Sequence, residues 1–108
     1  MSSNTIRGNL VDALNEMTKL LEVCENRDQC FEIRIKIREL FQSLDRVIAA
    51  SLDSTTPDFD DAIKALQSLT NEATEAKRKL DKVAVVINKA ETAIGKVEKL
   101  VRNVTGIL

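Results

Sequence analysis

From Phe59 to Leu108, apolar residues recur every three and four positions without a slip. With Phe59 at heptad position a, the a and d sites are Phe59, Ala62, Leu66, Leu69, Ala73, Ala76, Leu80, Val83, Ile87, Ala90, Ile94, Val97, Val101, Val104 and Leu108, all 15 of them apolar. A seam of that period belongs to a helix that packs along its length against other helices. Gly95 lies inside it, at about 1 kcal/mol for a glycine in a helix interior, yet the pattern continues. The spacing predicts one long helix over 58–106, roughly 70 Å at 1.5 Å per residue. Thr56 as cap and Pro57 as first helical residue would start it. Asp58, Asp60 and Asp61 would then meet the positive end of the helix dipole. The apolar face narrows between Thr70 and Lys82. It widens after Val83, where Val86, Ala93, Leu100 and Ile107 join it at position g.

The first half carries two shorter seams. Ile6, Leu10, Ala13, Met17, Leu20 and Cys24 form one, capped by Asn4 or Thr5, with Met1–Asn4 as a frayed lead. Cys30, Ile33, Ile37, Leu40, Leu44, Val47 and Ser51 form the next, with Phe31, Phe41, Ile48 and Leu52 beside it. The first seam, extended, would run through Arg27, Phe31, Arg34 and Arg38, so the register slips near 25–29. A tight turn there, with Asn26 as a left-handed C-cap and Asp28 as the next N-cap, is one reading. A kinked continuous helix is the other. The fold class is therefore all-α, a single helical domain over 1–108. It is an antiparallel, coiled-coil-like bundle with helices at about 4–25, 28–53 and 58–106. The alternative is a long two-helix hairpin with 4–53 as one kinked arm.

Only Phe31, Phe41 and Phe59 are aromatic, so the core is one of Leu, Ile, Val and Ala. The chain has 16 Lys and Arg against 17 Asp and Glu. That near balance disfavours nucleic acid as a partner, since such domains are usually strongly basic. The balance is uneven along the chain: 1–76 carries 8 basic and 14 acidic residues, net −6, and 77–108 carries 8 and 3, net +5. No apolar run is long enough to cross a membrane. No leader or lipidation signal is read either, so a cytoplasmic location is expected. Asn103-Val104-Thr105 matches a glycosylation triplet inside a helical seam, and is discounted on that ground. With no Trp, the chain lacks the Trp-x-Gly turn of small secreted helical-hairpin proteins.

No residue set announces chemistry. There is no His, which removes Ser-His and Cys-His nucleophile pairs and His metal sites. Gly8, Gly95 and Gly106 are too scattered for a phosphate loop. Asp58, Asp60 and Asp61 are followed by Ala62 and Ile63, not by the ligands of a calcium loop. Cys24 and Cys30 read best as two reduced, buried thiols acting as small apolar seam residues; a redox-sensitive bridge closing the turn is the second reading, and a thiol pair on a metal, poor without further ligands, the third. No catalytic, cofactor or metal residue is assigned.

What the sequence offers instead is surplus apolar surface. The chain reads as a non-enzymatic helical interaction module, a self-associating adaptor, chaperone-like or structural protein. It is expected as a homodimer or higher oligomer, with a helical protein as a further partner class. The expected contact residues are Leu80, Val83, Val86, Ile87, Ile94, Val97, Leu100, Val101 and Val104. A second reading places the basic C-terminal helix, led by Lys77, Arg78, Lys79 and Lys82, on anionic lipid or nucleic acid.

Overall fold

Thr5 caps the first helix. Its hydroxyl accepts from the Gly8 amide at 3.0 Å, an N-cap that satisfies one donor of the first turn. Helix α1 then runs Ile6–Val23 and ends in extended backbone at Cys24. The structure, a computed structural model, describes residues 5–50 and 57–105, with the side chains of 57, 104 and 105 outside that set. Helix α2 spans Arg27–Ala50, α3 Pro57–Ala76 and α4 Val83–Thr105, with a short 3-10 turn at Leu80–Lys82 before α4. The lead at Met1–Asn4, the end of the second helix near 53, the Thr56 cap and the last three residues lie outside the described set.

The choice at 25–29 falls to the turn, by a different mechanism from the one expected. Asn26 is no left-handed C-cap: its side-chain oxygen accepts from the Gln29 amide at 3.0 Å, so Asn26 caps α2. Asp28 sits in the first turn of α2, where its charge suits the dipole.

The single helix over 58–106 is not formed. Backbone regularity stops after Ala76, and Lys79 has left the helical region at φ −133°, ψ 88°. No glycine or proline marks the break. It falls where three cations, Lys77, Arg78 and Lys79, collect at the negative end of α3. Asp81 lies in the first turn that follows. The reason is global. Four helices of 18, 24, 20 and 23 residues have matching lengths and can cover one another's faces. A straight rod would have left half of its own seam wet. The molecule is accordingly 44 Å in its longest dimension, not roughly 70 Å.

Side-chain pairings fix the directions. Glu16 meets Thr74, so α1 and α3 run parallel with their later halves together. Asn103 meets Asp58, so α3 and α4 are antiparallel. The three-residue connection makes α1 and α2 antiparallel, and α2 packs beside α4. Contacts join α1 to α2, α2 to α4, α4 to α3 and α3 to α1, with none across either diagonal among the described residues. The result is an all-α four-helix bundle of two hairpins laid side by side.

The core follows the heptads, with one rotation. Ile6, Leu10, Ala13, Met17 and Leu20 of α1 are buried, as are Ile33, Leu40 and Val47 of α2. In α3 the a and d residues Phe59 through Ala76 are all buried. In α4 the buried line is Val83, Val86, Ala90, Ala93, Val97 and Leu100, which is the d and g pair. Ile87 and Ile94 move to its edge. Because α4 touches both α3 and α2, it needs the wider face that the g residues supply.

Candidate functional site

Polar side chains pin the two hairpins together at two nodes. In the first, Glu16 of α1 receives Lys77 Nζ at 2.7 Å, the Thr74 hydroxyl at 2.8 Å and Lys19 Nζ at 3.3 Å. The Lys77 hydrogen bond is the main cause that holds the Glu16 carboxyl at about 2, against an ordinary 4.5; partial burial opposes it, and Thr74 and Lys19 help. In the second, the fully buried Ser43 hydroxyl donates to Glu98 at 2.9 Å, and Arg46 pairs with the other oxygen of that carboxylate. Every buried side-chain N and O among the described residues has a hydrogen-bond partner. Both nodes lie on helix-to-helix contacts, and each accounts for its own charges.

Two hollows remain. A cleft of about 270 Å³ between α1 and α3 is lined by Asn9, Asp12, Gln67, Thr70 and Asn71. Asn9 is turned to its own helix, donating to the Thr5 carbonyl at 2.8 Å. A space of about 30 Å³ lies among Asp58, Asp61, Lys96 and Lys99, room for about one water. The aspartates at the start of α3 therefore face two lysines of α4. Among the described residues no three His, Cys, Asp or Glu side chains are grouped to hold a metal.

Cys24 and Cys30 are joined in a disulfide, with Cα atoms 5.8 Å apart. This corrects the expectation of two reduced thiols. The two residues stand at facing ends of a hairpin, so the turn itself brings them within bonding range. Closing so short a loop contributes on the order of 2 kcal/mol through the unfolded chain.

The residues expected to meet another chain are placed in two groups. Val83, Val86, Val97, Leu100 and Val101 are buried within the molecule's own core, and Leu80, Ile87 and Ile94 are half-buried against it. That apolar face is covered by α2 and α3 of the same chain. Val104 belongs to α4, its side chain outside the described set. Of the basic group, Lys77 is drawn to Glu16 and Lys82 is half-buried, while Arg78 and Lys79 are exposed at the α3–α4 turn.

The most exposed large apolar side chains sit elsewhere, on α2, ahead of Val11 and Val23 of α1 and Val85 of α4. Phe31 is 60% exposed, Phe41 53% and Ile48 51%. With Arg34, Arg38 and Asp45, all exposed, they form a second heptad line along one side of that helix: Phe31, Arg34, Arg38, Phe41, Asp45, Ile48. Two of the three phenylalanines in the molecule are thus on its outside. Sequence reading saw Phe31, Phe41 and Ile48 as a broadening of the core face. The signal that separates them is their phase, since they repeat with Arg34 and Arg38 and not with Ile33, Leu40 and Val47.

Comparison with protein-family models, curated proteins and solved structures returns no match for this chain. No described helix is long and apolar enough to cross a membrane.

Proposed function

We propose that this chain is a non-enzymatic helical interaction module whose contact face is the outer side of α2. The observation that carries this reading is the exposure of Phe31, Phe41 and Ile48 on one line of a helix whose opposite face is fully used in the core. Large apolar side chains left in water in a row mark a surface meant to be covered. The absence of His and of any paired nucleophile and base in the sequence supports the non-enzymatic part of the reading. An adaptor or chaperone-like role fits such a face, because it presents a rigid helix to a partner helix.

The rival reading, a basic C-terminal surface for anionic lipid or nucleic acid, draws less support. The cations of 77–108 are dispersed: Lys77 is paired with Glu16, and Lys96 and Lys99 stand beside Asp58 and Asp61. Oligomeric assembly belongs to the proposal, moved from α4 to α2. A cytoplasmic location, expected from the sequence, sits poorly with the Cys24–Cys30 bond, which reducing compartments do not maintain; an oxidising compartment suits it better.

Site-specific photo-crosslinking in the native cell tests the function. A benzophenone side chain at Phe41 should give a discrete protein adduct, while the same group at exposed Lys89 of α4 should not. No adduct at Phe31, Phe41 or Ile48 would remove the interaction module.

A further inference from the structure

The α2 line has an internal symmetry that specifies its own partner. Its six residues are Phe31, Arg34, Arg38, Phe41, Asp45 and Ile48, spaced 3, 4, 3, 4 and 3. Lay a second α2 against it, antiparallel, with the two-fold axis between Arg38 and Phe41. Phe31 then faces Ile48 of the second copy, Arg34 faces Asp45, and Arg38 faces Phe41. Every layer is favourable. The outer layers join apolar to apolar, and the next ones join opposite charges. The central ones set a guanidinium over an aromatic ring, the geometry of a cation–π contact. Each layer occurs twice, as a two-fold interface requires. An antiparallel helix pair aligns a positions with d positions of its mate, and here Phe31, Arg38 and Asp45 are a where Arg34, Phe41 and Ile48 are d.

The parallel alternative fails on the same residues. It stacks Arg34 on Arg34, Arg38 on Arg38 and Asp45 on Asp45. Within the chain, none of these three charged side chains has an ion-pair partner among the described residues, whereas Arg46, beside them in sequence, is paired with Glu98. The line extends for about 26 Å at 1.5 Å per residue, long enough for a two-helix contact. One helix from each copy makes a contact at the small end of interface sizes, so the pair forms and parts with concentration.

We infer that α2 is the interface of an antiparallel homodimer, joined through Arg34–Asp45 pairs and Arg38–Phe41 stacks across the axis. This rests on the interaction-module reading and names its partner as a second copy of this chain. Charge reversal is the test, read by sedimentation equilibrium of the full chain from about 10 µM to about 500 µM. The native chain should rise from 12.0 kDa toward twice that mass. Arg34→Asp and Asp45→Arg, each alone, should weaken association about tenfold or more, because each sets like charges opposite one another. The double variant Arg34→Asp with Asp45→Arg should restore it to within about threefold. Both substitutions are at exposed positions, and unchanged helical circular dichroism checks that each of the three variants folds. A native chain that stays at 12.0 kDa throughout, or a double variant no better than the singles, overturns the dimer. The photo-crosslink at Phe41 separates the two levels. An adduct of two copies supports the dimer. An adduct with a different protein overturns the second copy and leaves the interaction module standing. No adduct removes both.

Discussion

At the scale of single residues, Glu16 is the most heavily committed side chain in the bundle. Three donors converge on it, from α1, α3 and the start of the α3–α4 turn. Its carboxyl is held at about 2 in the folded protein and returns toward 4.5 on unfolding. The folded value is the lower one, so its contribution is complete above pH 4.5. It drains away as pH falls from there toward 2. Glu16→Gln should therefore cost about 1–2 kcal/mol at neutral pH, the scale of charge-assisted hydrogen bonds partly screened by solvent. The variant should also flatten that acid limb. Urea titrations at neutral pH and across the acid range measure both, and an unchanged acid limb would show that Lys77 and Thr74 do not hold the carboxylate in solution. Gly95 makes the opposite case. It is exposed in the interior of α4, and a Cβ built there meets nothing within 4 Å. Gly95→Ala should raise stability by about 0.5–1 kcal/mol, since it removes backbone freedom from the unfolded chain at no steric cost. Thermal melts would read this as a gain of a few degrees.

At the scale of elements, the break between α3 and α4 decides the architecture, and proline can locate it. Leu80 opens the 3-10 turn, and the residue before it, Lys79, is already out of the helical region that a following proline disfavours. Leu80→Pro should cost only about 1–2 kcal/mol, mostly for the half-buried leucine side chain it deletes. Ala90→Pro, in the interior of α4 and fully buried, should cost about 3 kcal/mol or more. Equal losses in chemical denaturation would mean that the helix runs straight through residue 80. The contrast also marks how far the sequence could be read. Period alone placed α1 and α2 and chose the inward faces of α1, α2 and α3, because burial selects one phase and each heptad reports it locally. Period could not locate the break. The a and d pattern continues from Ala76 through Leu80 and Val83 because Leu80 and Val83 pack inward on both sides of the bend. What ends α3 is the packing available to the whole chain, and no residue at 77–79 states that alone. The outer line of α2 has a period too, and taken as a widening of the core face it is misread; its phase tells it apart, since Phe31, Phe41 and Ile48 repeat with Arg34 and Arg38 and not with Ile33, Leu40 and Val47.

At the scale of the whole molecule, the question is which apolar faces the monomer uses for itself. The first hairpin offers a core face on α1 and α2, the second offers one on α3 and α4, and side by side they close around a shared interior. That closure uses the C-terminal valines completely: Val97 is 0% and Val101 7% exposed. Burying such a side chain contributes roughly 1.5–3 kcal/mol, against a total stability on the order of 5–15 kcal/mol for a domain of this kind. A lysine at 97 would remove that term and place a cation inside the apolar core, so Val97→Lys should unfold the chain. The expected result is loss of the helical circular dichroism at every protein concentration, from a native spectrum of at least about 75% helix. If α4 were instead the surface that joins two copies, the same variant would keep its helix signal and fall to monomer mass on dilution. Phe41→Ser, on the outer line of α2, should behave in that second way, with helicity intact and association lost. The two variants thus assign the two kinds of apolar surface, since a face used within the chain cannot be charged without losing the fold, and a face used between chains can.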